Sequence, residues 1–162
     1  LVAAQGLPDG RTAVKCWAWQ PNGSTIDVAA IEQQIRALHA TGNLRELHYD
    51  PAYFEMVAQS LEDEGLPMIE FPQSPARMVP ACQEFYQGAI AGAFSHDGDA
   101  RLASHIANAV LKEDRHGPRI VKESKTSVRK IDLAVCSVLA HEAWGDVTAA
   151  KLWRRKHYVY SA

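Results

Sequence analysis

Strand and helix patterns alternate through the middle of the chain, and this alternation constrains the fold more than any other feature. Residues 44–49 read as a strand, and Pro51 then occupies a position that favours the start of a helix. Gly65 is placed to end that helix, residues 67–71 form another short apolar strand, and residues 76–93 again predict a helix. The order strand, helix, strand, helix predicts an α/β sheet.

The flanking segments extend this pattern on both sides. Residues 1–20 predict a β-hairpin, followed by a helix that Ser24 or Asp27 caps and Gly42 stops. Beyond residue 94 the patterns predict a polar turn, a short helix, a basic hairpin and a long apolar helix, at 97–99, 102–109, around 115–118 and at 131–144. No internal repeat and no second core is found. We therefore expect residues 1–162 to form one domain.

The small net charge of the chain conceals two oppositely charged parts. The formal net charge of −2 argues by itself against a polyanionic partner. Residues 1–100, however, carry 13 acidic and five basic residues, whereas residues 101–162 carry six acidic and 12 basic ones, giving −8 and +6. This asymmetry is typical of nucleic-acid or membrane contact, or of two solvated faces of one domain. Because no apolar stretch reaches the ~18 residues of a membrane-spanning helix, no membrane partner is expected.

Several catalytic motifs are absent from the sequence. It contains no GxxxxGKS or GxxxxGKT phosphate loop, no GxGxxG, no HExxH and no GxSxG, so neither a nucleotide-driven motor nor a nucleophilic hydrolase is indicated. Cys16, Cys82 and Cys136 are too dispersed for a disulfide framework or a zinc site. With no signal peptide, the sequence predicts a cytoplasmic protein, and its start predicts that it belongs to a longer polypeptide.

Two aspartates stand where a sheet of this class places its ligands. Asp50 follows a central strand, and Asp132 opens the long apolar helix. Two converging carboxylates suit a hard cation such as Mg²⁺. Each aspartate also fits a purely structural role, because Asp50 before Pro51 is a good helix N-cap and Asp132 suits the helix dipole.

Four runs keep a characteristic order and spacing. They are residues 47–54 (LHYDPAYF), 61–73 (LEDEGLPMIEFPQ), 105–110 (HIANAV) and 129–136 (RKIDLAVC). Together they resemble the nuclease domain of tailed-phage terminase large subunits. The resemblance implies a ribonuclease H-like mixed sheet flanked by helices. It also implies cutting of concatemeric double-stranded DNA during genome packaging, in the bacterial cytoplasm, with the terminase small subunit and the portal as partners.

By position, the resemblance implies that Asp50 and Asp132 are catalytic and hold Mg²⁺ or Mn²⁺. Metals that bridge the scissile phosphate activate a water and stabilise the leaving oxygen, with two ions ~3.5–4 Å apart in two-metal sites. The family's first strand, with its own acidic ligand, has no counterpart here, nor has the motor domain. We therefore expect a sheet without that strand. Asp97 and Asp99 are outer ligands or, with stronger grounds, parts of a turn, and Asp9 belongs to a turn.

Basic residues of the last third are candidates to hold a DNA backbone without reading sequence. Those around the hairpin and before Asp132 are Lys112, Arg115, Arg119, Lys122, Lys125, Arg129 and Lys130. His105 and Asn108 share one helix face and have either a supporting catalytic role or a packing and capping one. Residues 151–158 mix bases with aromatics and either contact DNA or the packaging partner or form a cationic tail.

Two other functions are compatible with the same residues. A chain that lacks one acidic ligand can be a non-catalytic module that binds DNA or the portal. The acids also suit another ribonuclease H-like nuclease, such as a junction resolvase or a transposase.

Overall fold

The structure, a computed structural model, describes residues 1–21, 23 and 25–158, with only the backbone of residues 53 and 146–158. Its strands are β1 (Val2–Gly6), β2 (Thr12–Cys16), β3 (Leu47–Tyr49), β4 (Met68–Glu70), β5 (Phe94–His96), β6 (Val110–Asp114) and β7 (Gly117–Val121). Its helices are α1 (Val28–Ala40), α2 (Pro51–Asp63), α3 (Pro75–Ile90), α4 (Ala100–Ala107) and α5 (Asp132–Tyr158).

Within the described ranges, these seven strands form three sheets. In the first, β1 pairs antiparallel with β2, and β2 pairs parallel with β5. In the second, β3 and β4 are parallel, with Tyr49 opposite Glu70. The third is the antiparallel hairpin of β6 and β7. The predicted α/β class, with sheets flanked by helices, is confirmed, and so are both predicted hairpins.

Local sequence signals set the boundaries of the helices on either side of β3. Asp27 caps α1 by accepting a hydrogen bond from the Ala30 amide at 2.9 Å, whereas Ser24 lies outside the described residues. At the end of α2, Gly65 has φ +90°, a left-handed conformation that residues with a side chain rarely adopt. These are the residue types expected at a helix start and a helix end.

The structure corrects two predicted boundaries. The helix predicted over 76–93 ends at Ile90, and residues 94–96 form β5 beside β2, a strand that the sequence pattern did not indicate. Gly92, with φ +67°, turns the chain between them. The last helix was predicted over 131–144 but continues to Tyr158.

Helix α5 joins the separate parts of the core. One buried cluster is formed by α3, α5 and the residue that follows β4, and it contains Phe71, Met78, Ala81, Cys82, Val138 and Leu139. Another joins Cys16 of β2, Leu102 of α4 and Leu133 of α5. A third fills the space between α1, α2, β3 and β4. Helix α5 also packs against β1 and β3, and its first turn contributes Leu133 to the second of these clusters.

Candidate functional site

Asp50 lies at the carboxyl end of β3, where it is the N-cap of α2. Its Oδ1 accepts a hydrogen bond from the Ala52 amide at 3.1 Å, and its Oδ2 accepts one from Gln73 Nε2 at 2.7 Å. Both interactions hold the carboxylate in one orientation. Each oxygen keeps a further lone pair that can bind a cation or a water.

Gln73 is a residue of this site that sequence reasoning did not single out. It lies three residues beyond β4, the parallel partner of β3. The segments that follow β3 and β4 therefore leave the sheet at the same edge. The position of Gln73 after a second strand could have indicated this contact, because the carboxyl ends of neighbouring parallel strands lie at the same edge of a sheet. Gln73 itself is exposed, and its amide group contacts Asp50 through the Nε2 donor only.

Asp132 is the first residue of α5 and is exposed. Its carboxylate takes part in no hydrogen bond or ion pair within the part of the chain that the structure describes. Helix α5 packs against β3, whose carboxyl end leads into Asp50. Asp50 thus follows a strand that α5 contacts, and Asp132 begins α5 itself.

The described residues do not add a third ligand to Asp50 and Asp132. Among the described residues, no three His, Cys, Asp or Glu side chains are grouped so that they could hold a metal ion. Asp97 and Asp99 do not fill this gap. Asp99 caps α4 through the Arg101 and Leu102 amides, and Asp97 Oδ1 accepts from the Asp99 amide at 3.3 Å, which is the turn that the sequence predicts.

Arg101 fixes the charge state of Asp99. Its Nη2 lies 2.6 Å from Asp99 Oδ2, and this hydrogen bond, reinforced by the two backbone amides, holds the pKa of the Asp99 carboxyl well below its usual range. Asp9 is in a similar position in the β1–β2 turn, where Arg11 Nε donates to it at 2.8 Å and lowers its pKa. Both carboxylates are therefore engaged in local structure.

His105 and Asn108 contact the chain immediately around Asp132. The Leu133 amide donates to His105 Nδ1 at 3.0 Å, and Asn108 Nδ2 donates to the Lys130 carbonyl at 3.1 Å. His105 thus satisfies an amide in the first turn of α5, and Asn108 satisfies a carbonyl just before that helix.

Within the basic hairpin, Arg119 has a partner of its own. Its two terminal nitrogens donate to the two carboxylate oxygens of Asp114 at 3.0 and 2.9 Å, and its side chain is only 13% exposed. This fork holds the pKa of Asp114 well below its usual range. The guanidinium of Arg119 is therefore occupied in bracing the hairpin.

The other predicted DNA-binding residues are exposed, except Lys122, which is half-buried. Lys112 Nζ lies 3.8 Å from Asp114, and Arg129 Nη1 lies 3.8 Å from Glu123, both at exposed positions. Arg115 Nε donates to His116 at 3.1 Å. Lys122, Lys125 and Lys130 have no ion pair within the described ranges. The side chains of residues 151–158 lie outside the described residues.

The hairpin that carries these bases is docked on α3. At Gly117, with φ +110°, a Cβ would lie 2.8 Å from Val79 Cγ1, so only glycine permits this close approach. Ile120 of β7 packs on the cluster shared by α3 and α5. The hairpin is thus fixed to the same helical layer that holds Asp132.

Comparisons with known proteins match most of the chain. Residues 11–144 match the family model for the terminase large subunit, endonuclease domain, a range that includes both Asp50 and Asp132. The protein YmfN of Escherichia coli (strain K12) is 26% identical over 140 residues, which cover 82% of this chain and 31% of YmfN.

The crystal structure of the HK97 bacteriophage large terminase shares the fold. It superposes with a TM-score of 0.72 at 19% sequence identity, over 85% of this chain and 34% of that chain. The chain therefore spans about a third of the length of either protein.

Proposed function

Because this chain belongs to the family of terminase large subunit endonuclease domains, we propose that it is a divalent-metal-dependent endonuclease that hydrolyses DNA phosphodiester bonds. The observation that carries this proposal is that the family match spans both candidate acids, one at the end of β3 and one at the start of α5. We propose residues 1–162 as a single nuclease domain of a longer protein.

Asp50 and Asp132 are the residues that would hold the metal. Their oxygen donors suit Mg²⁺ or Mn²⁺, and Mg²⁺ typically binds through only one or two carboxylates plus waters and substrate phosphates. The pair therefore fits one ion, whereas a second ion needs a further ligand. A bound ion would supply Lewis acidity toward the scissile phosphate and lower the pKa of a bound water. The chain's own part is orientation: Gln73 and the Ala52 amide fix Asp50, and α5 presents Asp132.

A further acidic ligand is proposed to come from the first strand that the family resemblance implies. Two features of the structure support this proposal. β1 pairs only with β2 and β3 only with β4 among the described strands, so each has a second edge to offer. Helix α5 packs against both β1 and β3. A strand between them would join the two sheets into one mixed sheet.

The basic hairpin and the segment before α5 are proposed as the DNA backbone interface. Lys112, Arg115 and Lys122 would reach phosphates from the hairpin, and Lys125, Arg129 and Lys130 from the segment that leads to Asp132. Arg119 would contribute by holding the hairpin in shape. Such contacts neutralise phosphates and carry no sequence information.

The biological role that follows is cutting of concatemeric double-stranded DNA during phage or prophage genome packaging in the bacterial cytoplasm. The terminase small subunit and the portal would be partners of the whole protein. Among the described helices, none is long and apolar enough to cross a membrane.

Plasmid cleavage in the presence of Mn²⁺ tests the proposed activity. We expect Asp50→Asn and Asp132→Asn each to abolish cleavage, because each removes one of two charged ligands while preserving shape. Glu55→Gln, at an exposed position of α2, is the matched control and should cleave like the unchanged chain. Undiminished cleavage by both aspartate variants would contradict the assignment.

A non-catalytic DNA-binding role is the second candidate, favoured by the lack of a three-residue metal cluster in the described ranges. It predicts DNA affinity that falls steeply with added salt, with no cleavage at any Mn²⁺ concentration. The same plasmid assay, paired with a salt titration of DNA binding, distinguishes the two functions.

A further inference from the structure

The end of α4 grips the chain on both sides of Asp132. His105 accepts from the amide of Leu133, the residue after Asp132, and Asn108 donates to the carbonyl of Lys130, two residues before it. We call His105 and Asn108 the α4 clamp. Two contacts that bracket one residue restrict its backbone more than either contact alone would.

The hydrogen bond of His105 fixes the state of its ring. Nδ1 can accept from an amide only when it carries no proton, so the neutral ring has its proton on Nε2. In this state Nδ1 is not available as a general base, and Nε2 can only donate. His105 therefore contributes a hydrogen bond that holds the first turn of α5.

Helix α4, which carries the clamp, is itself held in place by packing and by its N-cap. Leu102 of α4 and Leu133 of α5 belong to one buried cluster with Cys16, and they are 8% and 3% exposed. At its other end, α4 begins at Asp99, which accepts from both the Arg101 and the Leu102 amides. Helix α4 is thus anchored by its N-cap and by its apolar face, so its last turn can act as a fixed support.

We propose that His105 and Asn108 are positioning residues that set the direction of the Asp132 carboxylate and thereby the affinity of the site for its divalent cation. This inference rests on the proposed function, since it takes Asp132 to be a metal ligand. Residues that orient a ligand typically change metal affinity by about 10- to 100-fold when they are replaced. Through the Lys130 carbonyl, the clamp also restrains the backbone two residues before Asp132.

The test compares variants of the clamp in Mn²⁺ titration of the chain. His105→Leu removes the acceptor and should weaken Mn²⁺ binding by about 10-fold or more. His105→Asn offers an oxygen near the place of Nδ1 and should bind Mn²⁺ nearly as the unchanged chain does. Asn108→Ala, which removes an exposed hydrogen bond at little risk to folding, should also weaken binding.

His96→Leu is the matched control, because His96 Nδ1 also accepts a backbone amide, that of Gly98, in the turn before α4. It should leave Mn²⁺ affinity unchanged. Hydrogen exchange of the Leu133 amide gives a readout independent of metal and should speed up in His105→Leu alone among the histidine variants.

The outcomes distinguish failure of the clamp's positioning role from failure of the proposed metal-dependent function. Faster Leu133 exchange in His105→Leu with unchanged Mn²⁺ affinity would overturn the clamp's role while leaving Asp132 as a ligand. Unchanged Mn²⁺ affinity in Asp132→Asn, or no binding by the unchanged chain, would overturn the proposed function and the clamp's role together.

Discussion

At the scale of single residues, Asp50 combines a structural and a proposed chemical role. As an N-cap it satisfies the Ala52 amide, and as a carboxylate it is a candidate metal ligand. The two roles need different properties of the side chain, because capping needs only an oxygen acceptor whereas metal binding needs the charge. Suitable substitutions can therefore separate them.

A comparison of Asp50→Asn with Asp50→Ala distinguishes the capping role of Asp50 from its proposed metal-binding role. Both changes should abolish cleavage, since both remove the charge. Asparagine is as good an N-cap as aspartate, whereas alanine at an N-cap costs about 1 kcal/mol, so only the alanine variant should lose stability. Urea unfolding of the three proteins measures the difference. Equal stability of the two variants would show that the cap contributes nothing here.

Gln73 permits a second prediction at this scale. Replacing it by leucine removes the 2.7 Å hydrogen bond to Asp50 and frees the carboxylate to rotate. Because Gln73 is exposed, the free energy of unfolding should change by less than about 0.5 kcal/mol, while Mn²⁺ affinity falls. Calorimetric titration with Mn²⁺ measures the affinity, with the exposed Gln59→Leu on α2 as control. A Gln73→Leu variant with unaltered affinity would contradict the positioning role of this amide.

At the scale of elements, different basic residues of the hairpin stabilise its structure and are available to bind DNA. Arg119 is paired with Asp114, whereas Lys122 has no ion pair in the described part of the chain. Lys122→Gln should therefore weaken DNA binding and lower the slope of log affinity against log salt by about 1. Val110→Thr, an uncharged change at an exposed position of β6, is the control. An unchanged salt slope in Lys122→Gln would remove Lys122 from the interface.

The Asp114–Arg119 pair also predicts how the hairpin responds to acid. The pKa of Asp114 is lower in the folded protein than its unfolded value of about 3.9, so the pair stabilises the fold fully above that value. As the pH falls below about 4, the unfolded chain takes up a proton at Asp114 before the folded protein does, so the stabilisation decreases until the folded carboxyl is protonated as well. Hydrogen exchange of the β6–β7 amides measured against pH should show this loss. Its persistence in Asp114→Asn would contradict the assignment.

Several elements were predictable because their signals are local. Asp50, Pro51 and Gly65 mark the bounds of α2 through capping and backbone geometry alone. β5 was not predictable, because a three-residue strand is defined by its pairing with β2 rather than by its own pattern. The same reason applies to the site. Asp50 and Asp132 could be selected from position and family resemblance, but Gln73 and the partner of Arg119 depend on contacts across 23 residues and across a hairpin.

At the scale of the whole molecule, α5 connects the proposed site to the core. It carries Asp132 at its start, and Leu133, Val138 and Leu139 bury its first turns in two clusters. Loss of packing here should therefore lower both the free energy of unfolding and the affinity of the proposed site for its metal.

Leu133→Ala tests this coupling. Replacing a buried leucine by alanine typically costs about 2–5 kcal/mol, and this leucine also donates its amide to His105. We expect a large drop in unfolding free energy together with weaker Mn²⁺ binding under conditions where the variant remains folded. Thermal unfolding with and without Mn²⁺ measures both. The control is Leu61→Ala, a comparably destabilised variant in the cluster between α1, α2, β3 and β4. We expect Mn²⁺ to stabilise Leu133→Ala less than Leu61→Ala. Equal stabilisation of the two variants would contradict the coupling.

Asp50 and Asp132 are proposed to hold one divalent cation between them. Anomalous diffraction from crystals of the chain soaked in Mn²⁺ measures this directly. We expect a peak within about 2.2 Å of an oxygen of each carboxylate, absent from crystals of Asp132→Asn. A Mn²⁺ peak that contacts neither aspartate, or one that persists unchanged in Asp132→Asn, would contradict it.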